Sequence, residues 1–120
     1  MSQSGTCVVI FPVDGSSPLC VDGSAKDTKE KWINLLDLGQ PTNPINLIEM
    51  VPLQDDIIAF VNEEGAFDPN DRNPHCPYLF GPIVVTKGSW SLDGEWLTQD
   101  ITINEAKNAL SYLMPEEYNM

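Results

Sequence analysis

Positive charge is scarce in this chain. Six Lys and Arg stand against 18 Asp and Glu, a formal net charge of −12 at pH 7. That balance repels phosphate backbones and anionic lipid surfaces, which argues against direct nucleic-acid binding and membrane docking. Long apolar runs are also lacking. Those at Val8 to Pro12 and Ile57 to Val61 fall far short of the roughly 20 residues that span a bilayer. The opening residues MSQSGT show no basic stretch followed by an apolar one, so no secretory signal is expected. Cysteine is sparse and odd in number, with Cys7, Cys20 and Cys76. This argues against a disulfide framework and for three free thiols in a reducing compartment, hence the cytoplasm. Histidine occurs once, at His75.

What is present is enough for a core. The 120 residues are 42% hydrophobic, which fits one domain spanning 1–120. Cys7 to Val13 reads as a strand, Asp14 to Pro18 as a turn, and Leu19 to Val21 as a short second strand. A helix is predicted from an N-cap at Ser24 to about residue 37, with Trp32, Leu35 and Leu36 on its apolar face and Gly39 and Pro41 ending it. Ile45 to Leu53 and Ile57 to Val61 form a hairpin around Gln54-Asp55-Asp56. Both are more apolar than simple alternation requires, so burial on both faces is expected. Asn62 to Pro77 reads as a long polar loop, Tyr78 to Thr86 as a strand, and Asp93-Gly94 as a two-residue hairpin turn. Thr102 with Glu105 has capping-box form, followed by Ile103, Ala106, Leu110 and Leu113 at helical spacing, with Pro115 as the stop. The sum is an α+β fold, a small, mainly antiparallel sheet with two helices packed on it. Trp32, Leu35, Leu36, Ile48, Ile58, Phe60 and Leu110 are its expected core.

The side chains that carry chemistry are poorly arranged for catalysis. His75 and Cys76 are adjacent in an extended, proline-bracketed stretch and so do not face one another as a nucleophile and base must. Cys7, Cys20, His75 and Cys76 are zinc-binding types, but their spacing matches no zinc knuckle. Asp68, Asn70 and Arg72 fail the calcium-loop pattern at the third ligand. The pairs Asp55-Asp56 and Glu63-Glu64 point opposite ways in an extended chain. No glycine-rich phosphate loop, GxSxG or HExxH occurs. The expectation is a protein that is not an enzyme, with no metal and no cofactor.

Acidity is concentrated. Asp55, Asp56, Glu63, Glu64, Asp68 and Asp71 crowd one stretch, opposed only by Arg72 at its border. A solvated loop explains this, and so does a contact surface for a basic partner. The same stretch carries a family resemblance. Ile48-Glu49 with Val51 and Leu53, then Asn62-Glu63-Glu64-Gly65, then Pro69, Asn70 and Asn73, then Gly81 to Val85 give residues 45–88 their pattern. This segment resembles an uncharacterised family frequent in bacteriophages, plasmids and other mobile elements, with a VPL hairpin followed by an NEEG motif. It lacks the family's usual Leu-Pro run after NEEG. The resemblance implies an accessory protein in the host cytoplasm and supplies no catalytic residues. The expected mode is inhibition of a host defence protein with a basic surface. The expected binding residues are Asn62, Glu63, Glu64, Gly65, Asp68, Asn70, Asp71 and Arg72. The alternative is a protein that sequesters a nucleotide near the loop 62–77, using Lys26, Lys29, Lys31 and Arg72 for the phosphates.

Overall fold

Strand formation here follows from apolar, β-branched runs short enough to be crossed by turns. A computed structural model describes residues 6–24, 28–39, 48–63 and 72–113. The elements run β1 (Cys7–Phe11), β2 (Leu19–Asp22), α1 (Lys29–Asp37), β3 (Ile48–Gln54), β4 (Ile57–Asn62), β5 (Arg72–Asn73), β6 (Cys76–Phe80), β7 (Ile83–Trp90), β8 (Trp96–Gln99) and α2 (Ile103–Ser111). Six strands form one sheet in the order β2-β1-β7-β4-β3, with β8 paired to the far half of β7. Every pairing in it is antiparallel. β5 and β6 make a separate small ladder. The fold is α+β, as the sequence predicts.

Both faces of the sheet are covered. Successive strand residues point to opposite faces, so each apolar run feeds two cores. Val8, Ile10, Ile58, Phe60 and Val84 pack with Trp32, Leu35 and Leu36 of α1. Val9, Phe11, Ile57, Ala59, Val61, Ile83 and Val85 pack with Ala106, Ala109 and Leu110 of α2 and with Cys76 of β6. Trp32 stacks on Phe60 with ring centroids 4.2 Å apart. Of the expected core, Ile48 at the start of edge strand β3 is only partly buried, and the rest are buried.

The helix caps are a mixed outcome. Thr102 and Glu105 form both halves of the capping box, each bond 3.1 Å long. Ser24 is not the N-cap of α1. Its amide donates to the Asp22 carboxylate (2.9 Å), while Thr28 caps the helix by accepting from the Lys31 amide (3.2 Å). A local bond from the backbone to an Asp side chain competes with helix entry and delays it.

Two turns also differ from expectation. The strand predicted over 78–86 is broken at Gly81, whose φ of 75° suits glycine, and the segment 72–80 folds into its own hairpin instead of extending the loop 62–77. The β7–β8 connection is not a two-residue turn at Asp93-Gly94. The Ser91 amide donates to Glu95 O (2.8 Å) and the Gly94 amide to Ser91 O (3.0 Å), with Gly94 at φ 86°. That is a three-residue loop, Leu92-Asp93-Gly94, ending on a left-handed glycine.

The expectation of three free thiols is overturned. Val8 lies opposite Val21, which sets Cys7 and Cys20 on a cross-strand diagonal with Cα atoms 5.9 Å apart, and they are disulfide-bonded. That separation lies inside the range a disulfide spans. Cys76, the odd one, is free and buried.

Two measurements check this architecture. Leu36→Ala, which empties a fully buried position against the sheet, should lower unfolding free energy by about 2–5 kcal/mol in a urea titration. An unchanged midpoint would contradict the packing of α1. For the bond, chain isolated under oxidising conditions and denatured without reductant should show one reactive thiol, from Cys76. Reduction should then cost roughly 3 kcal/mol, the scale of closing a loop of similar length. Three thiols before reduction would exclude the bond.

Candidate functional site

The acidic stretch divides into two stations. Asp55 and Asp56 form the exposed turn between β3 and β4, and the Asp56 carbonyl accepts from the Gly88 amide (2.9 Å), which ties the turn to β7. Glu63, also exposed, follows the other end of β4. The six residues of β4 separate the two by roughly 20 Å at ~3.3 Å per residue. The structure therefore does not join Asp55 and Asp56 to Glu63 in one patch. It does gather Asn62, Glu63 and Arg72 at one end of the sheet. There Asn62 lies against the Gly81 turn, and the Arg72 guanidinium sits 4.9 Å from the centre of the Phe80 ring. Glu64, Gly65, Asp68, Asn70 and Asp71 lie outside the described residues, as does Lys26.

That end of the sheet is organised by Asn73, which the sequence reading placed in the family pattern but not among the binding residues. It is fully buried. Its side-chain amide donates to Phe11 O (3.0 Å) and Gly81 O (2.8 Å), and its Oδ1 accepts from the His75 amide (2.8 Å). One side chain thus satisfies two carbonyls and one N–H that would otherwise be orphaned in the interior. The available signal was the Asn-Pro dipeptide at 73–74, a turn marker.

The nucleophile and metal readings find no support in the geometry. The His75 Nε2 lies 2.8 Å from the Ser16 carbonyl oxygen, and its ring meets Phe11 edge-on at 5.3 Å. The Cys76 side chain is in the core, where burial pushes its thiol pKa up and away from the reactive thiolate. Cys7 and Cys20 are bonded to each other. Among the described residues no cluster of three or more His, Cys, Asp or Glu could hold a metal ion. Among them too, no helix is long and apolar enough to cross a membrane.

Among the described cations Lys31 is buried and Lys87 is partly so, while Lys29, Arg72 and Lys107 are exposed. Lys31 is buried, donates to the Gly23 carbonyl and lies 4.4 Å from the centre of the Trp32 ring. Lys87 pairs with Glu105 at 3.0 Å. That contact raises the Lys87 pKa, and with the Thr102 amide it lowers that of Glu105. Hydrogen bonding from Ser16 lowers the pKa of Asp14, and from Ser24 that of Asp22. Two shallow grooves flank α2. One is lined by Cys7, Cys20, Asp100, Ile101 and Thr102, the other by Gln54, Ile57, Asn108 and Tyr112, and Glu105 borders both. Neither has a Lys or Arg in its described lining.

Set against protein-family models, curated proteins and solved structures, the chain matches none of them.

Asn73→Ala should destabilise the protein by at least about 2 kcal/mol, since each orphaned buried polar group costs ~1–3 kcal/mol. Asn73→Asp should be worse at neutral pH, because an anion would then face two carbonyl oxygens. Wild-type melting temperatures for both variants would show that the knot carries little.

Proposed function

We propose that this chain is a non-enzymatic accessory protein of a phage or other mobile element, which binds and inhibits a host defence protein through an acidic surface. One observation carries the binding mode. In a chain with 18 Asp and Glu against six Lys and Arg, Asp55, Asp56 and Glu63 stand in solvent. With a net charge of −12 the outward field is negative, and such a field steers and orients a basic partner. The biological setting, including the host cytoplasm, comes from the resemblance of residues 45–88 to the mobile-element family. In a reducing cytoplasm the β1–β2 ladder would hold the hairpin without the Cys7–Cys20 bond.

The nucleotide-sequestering alternative is less well supported. It needs clustered positive charge near the loop 62–77. Lys29 and Lys31 belong to α1 on one face of the sheet, while Arg72 belongs to the β5–β6 hairpin, whose Cys76 and Leu79 pack on the other.

The test is charge reversal at each station separately, Asp55→Lys with Asp56→Lys, and Glu63→Lys. Folding is scored by melting and function by phage or plasmid establishment in a defended host. The expected outcome is a native melt with establishment reduced about tenfold or more, because removing complementary charge slows association and raising salt mimics the loss. Folded variants of full activity at both stations would refute the acidic-surface mechanism.

A further inference from the structure

Two exposed apolar side chains share one hairpin away from the β3–β4 turn. On the β7–β8 hairpin, Trp90 is 51% exposed and Leu92, at the tip, is 108% exposed. Leu97 is 49% exposed but pairs with Ser89, so it faces the opposite side from Trp90. Exposed apolar side chains grouped on one element mark interaction sites, and Trp is enriched among the residues that dominate interfaces.

The hairpin is braced by internal contacts. Trp90 packs edge-on against Trp96 (5.1 Å), and Trp96 is itself buried, with its indole N–H donating to the Thr86 hydroxyl (3.2 Å). The tip is closed by the Ser91–Glu95 backbone bond and by the Glu95 amide donating to Ser91 Oγ (3.0 Å). An anchor held this way loses little entropy on binding.

Its charge selects the occupant. Between Lys87 and Lys107 the sequence has no Lys or Arg, but it carries Asp93, Glu95, Asp100 and Glu105. Asp93 and Glu95 are exposed beside Trp90 and Leu92. A cation over an indole face, flanked by carboxylates, is favoured. A second copy of the chain carries the same net charge of −12, and nucleic acid and anionic bilayers are repelled by it.

We propose that the β7–β8 hairpin tip is the apolar anchor of the binding surface, and that Trp90 and Leu92 receive an Arg- or Lys-bearing apolar patch on a partner protein. This rests on the acidic-surface reading and adds to it the site where affinity is concentrated. The probe is a synthetic peptide of alternating Arg and Leu, with a neutral citrulline-for-arginine counterpart. Each is titrated into 15N-labelled chain at physiological salt. The Trp90 indole N–H and the amides of 91–95 should shift with the Arg peptide and saturate. Leu92→Ser, a change at a solvent-exposed tip, and Trp90→Ala should each weaken binding about tenfold or more, the scale of an interface hot spot. Asp55→Lys with Asp56→Lys, which removes steering charge away from the anchor, should weaken binding of this short peptide far less than it impairs engagement of a whole partner protein. Shifts confined to Asp55-Asp56, to Glu63 or to the β3 edge, with Leu92→Ser silent, would overturn the hairpin while leaving the acidic surface standing. No binding of the Arg peptide anywhere would overturn both. Equal binding of the citrulline peptide would refute the cationic occupant. A concentration-dependent dimer abolished by Leu92→Ser would assign the tip to self-association instead.

Discussion

The two-sided burial of β7 is the constraint that the rest of the molecule answers to. Ile83, Val84, Val85 and Thr86 are all fully buried, and they lie between β1 and β4. This half of β7 has no wet face and needs a cover on each side, so α1 is required on one and α2 with the β5–β6 hairpin on the other. The polar member, Thr86, is tolerated because its hydroxyl meets the Trp96 indole N–H. Once both faces are occupied, polar chemistry is displaced to strand ends, turns and hairpin tips, which is where every exposed carboxylate discussed above is found.

That displacement has an electrostatic consequence. Two of the cations tie elements together: Lys31 donates to the Gly23 carbonyl beside the α1 face, and Lys87 joins β7 to the first turn of α2 through Glu105. Glu105 serves twice, since its other oxygen accepts from the Thr102 amide. Surface ion pairs of this kind contribute little stability each, so the surface potential is the larger effect.

Much of this fold was legible in the residues, for identifiable reasons. The capping box at Thr102 and the apolar spacing of Trp32, Leu35 and Leu36 are local signals with a fixed period, and both helices follow from them. The β3–β4 hairpin was marked by its polar break at Asp55-Asp56. What was not legible depended on register or on long-range contact. The Cys7–Cys20 bond appears only when Val8 is set opposite Val21, a pairing that cysteine parity cannot reveal. Asn73 reads as a loop residue until Phe11 O and Gly81 O are brought to it from 62 and 8 residues away. The candidate site was legible as a concentration of acid but not as a shape, because the length of β4 separates residues that are near neighbours in sequence.

The edges of the sheet show why the hairpin, and not strand addition, is the natural contact. An open edge offers unpaired backbone groups to any extended chain. Here β3 carries Pro52, which has no N–H to donate, a register shift between Pro52 and Gln54, and the exposed charge of Glu49. At the other edge β2 is only four residues long and is fastened to β1 by the disulfide. The β3 and β2 edges are thus blunted by devices that oppose unselective pairing, while Trp90 and Leu92 remain exposed on a hairpin braced by Trp96. Apolar exposure beside blocked edges directs association to side-chain recognition. In a surface this acidic, such recognition discriminates by the partner's charge before it discriminates by its shape.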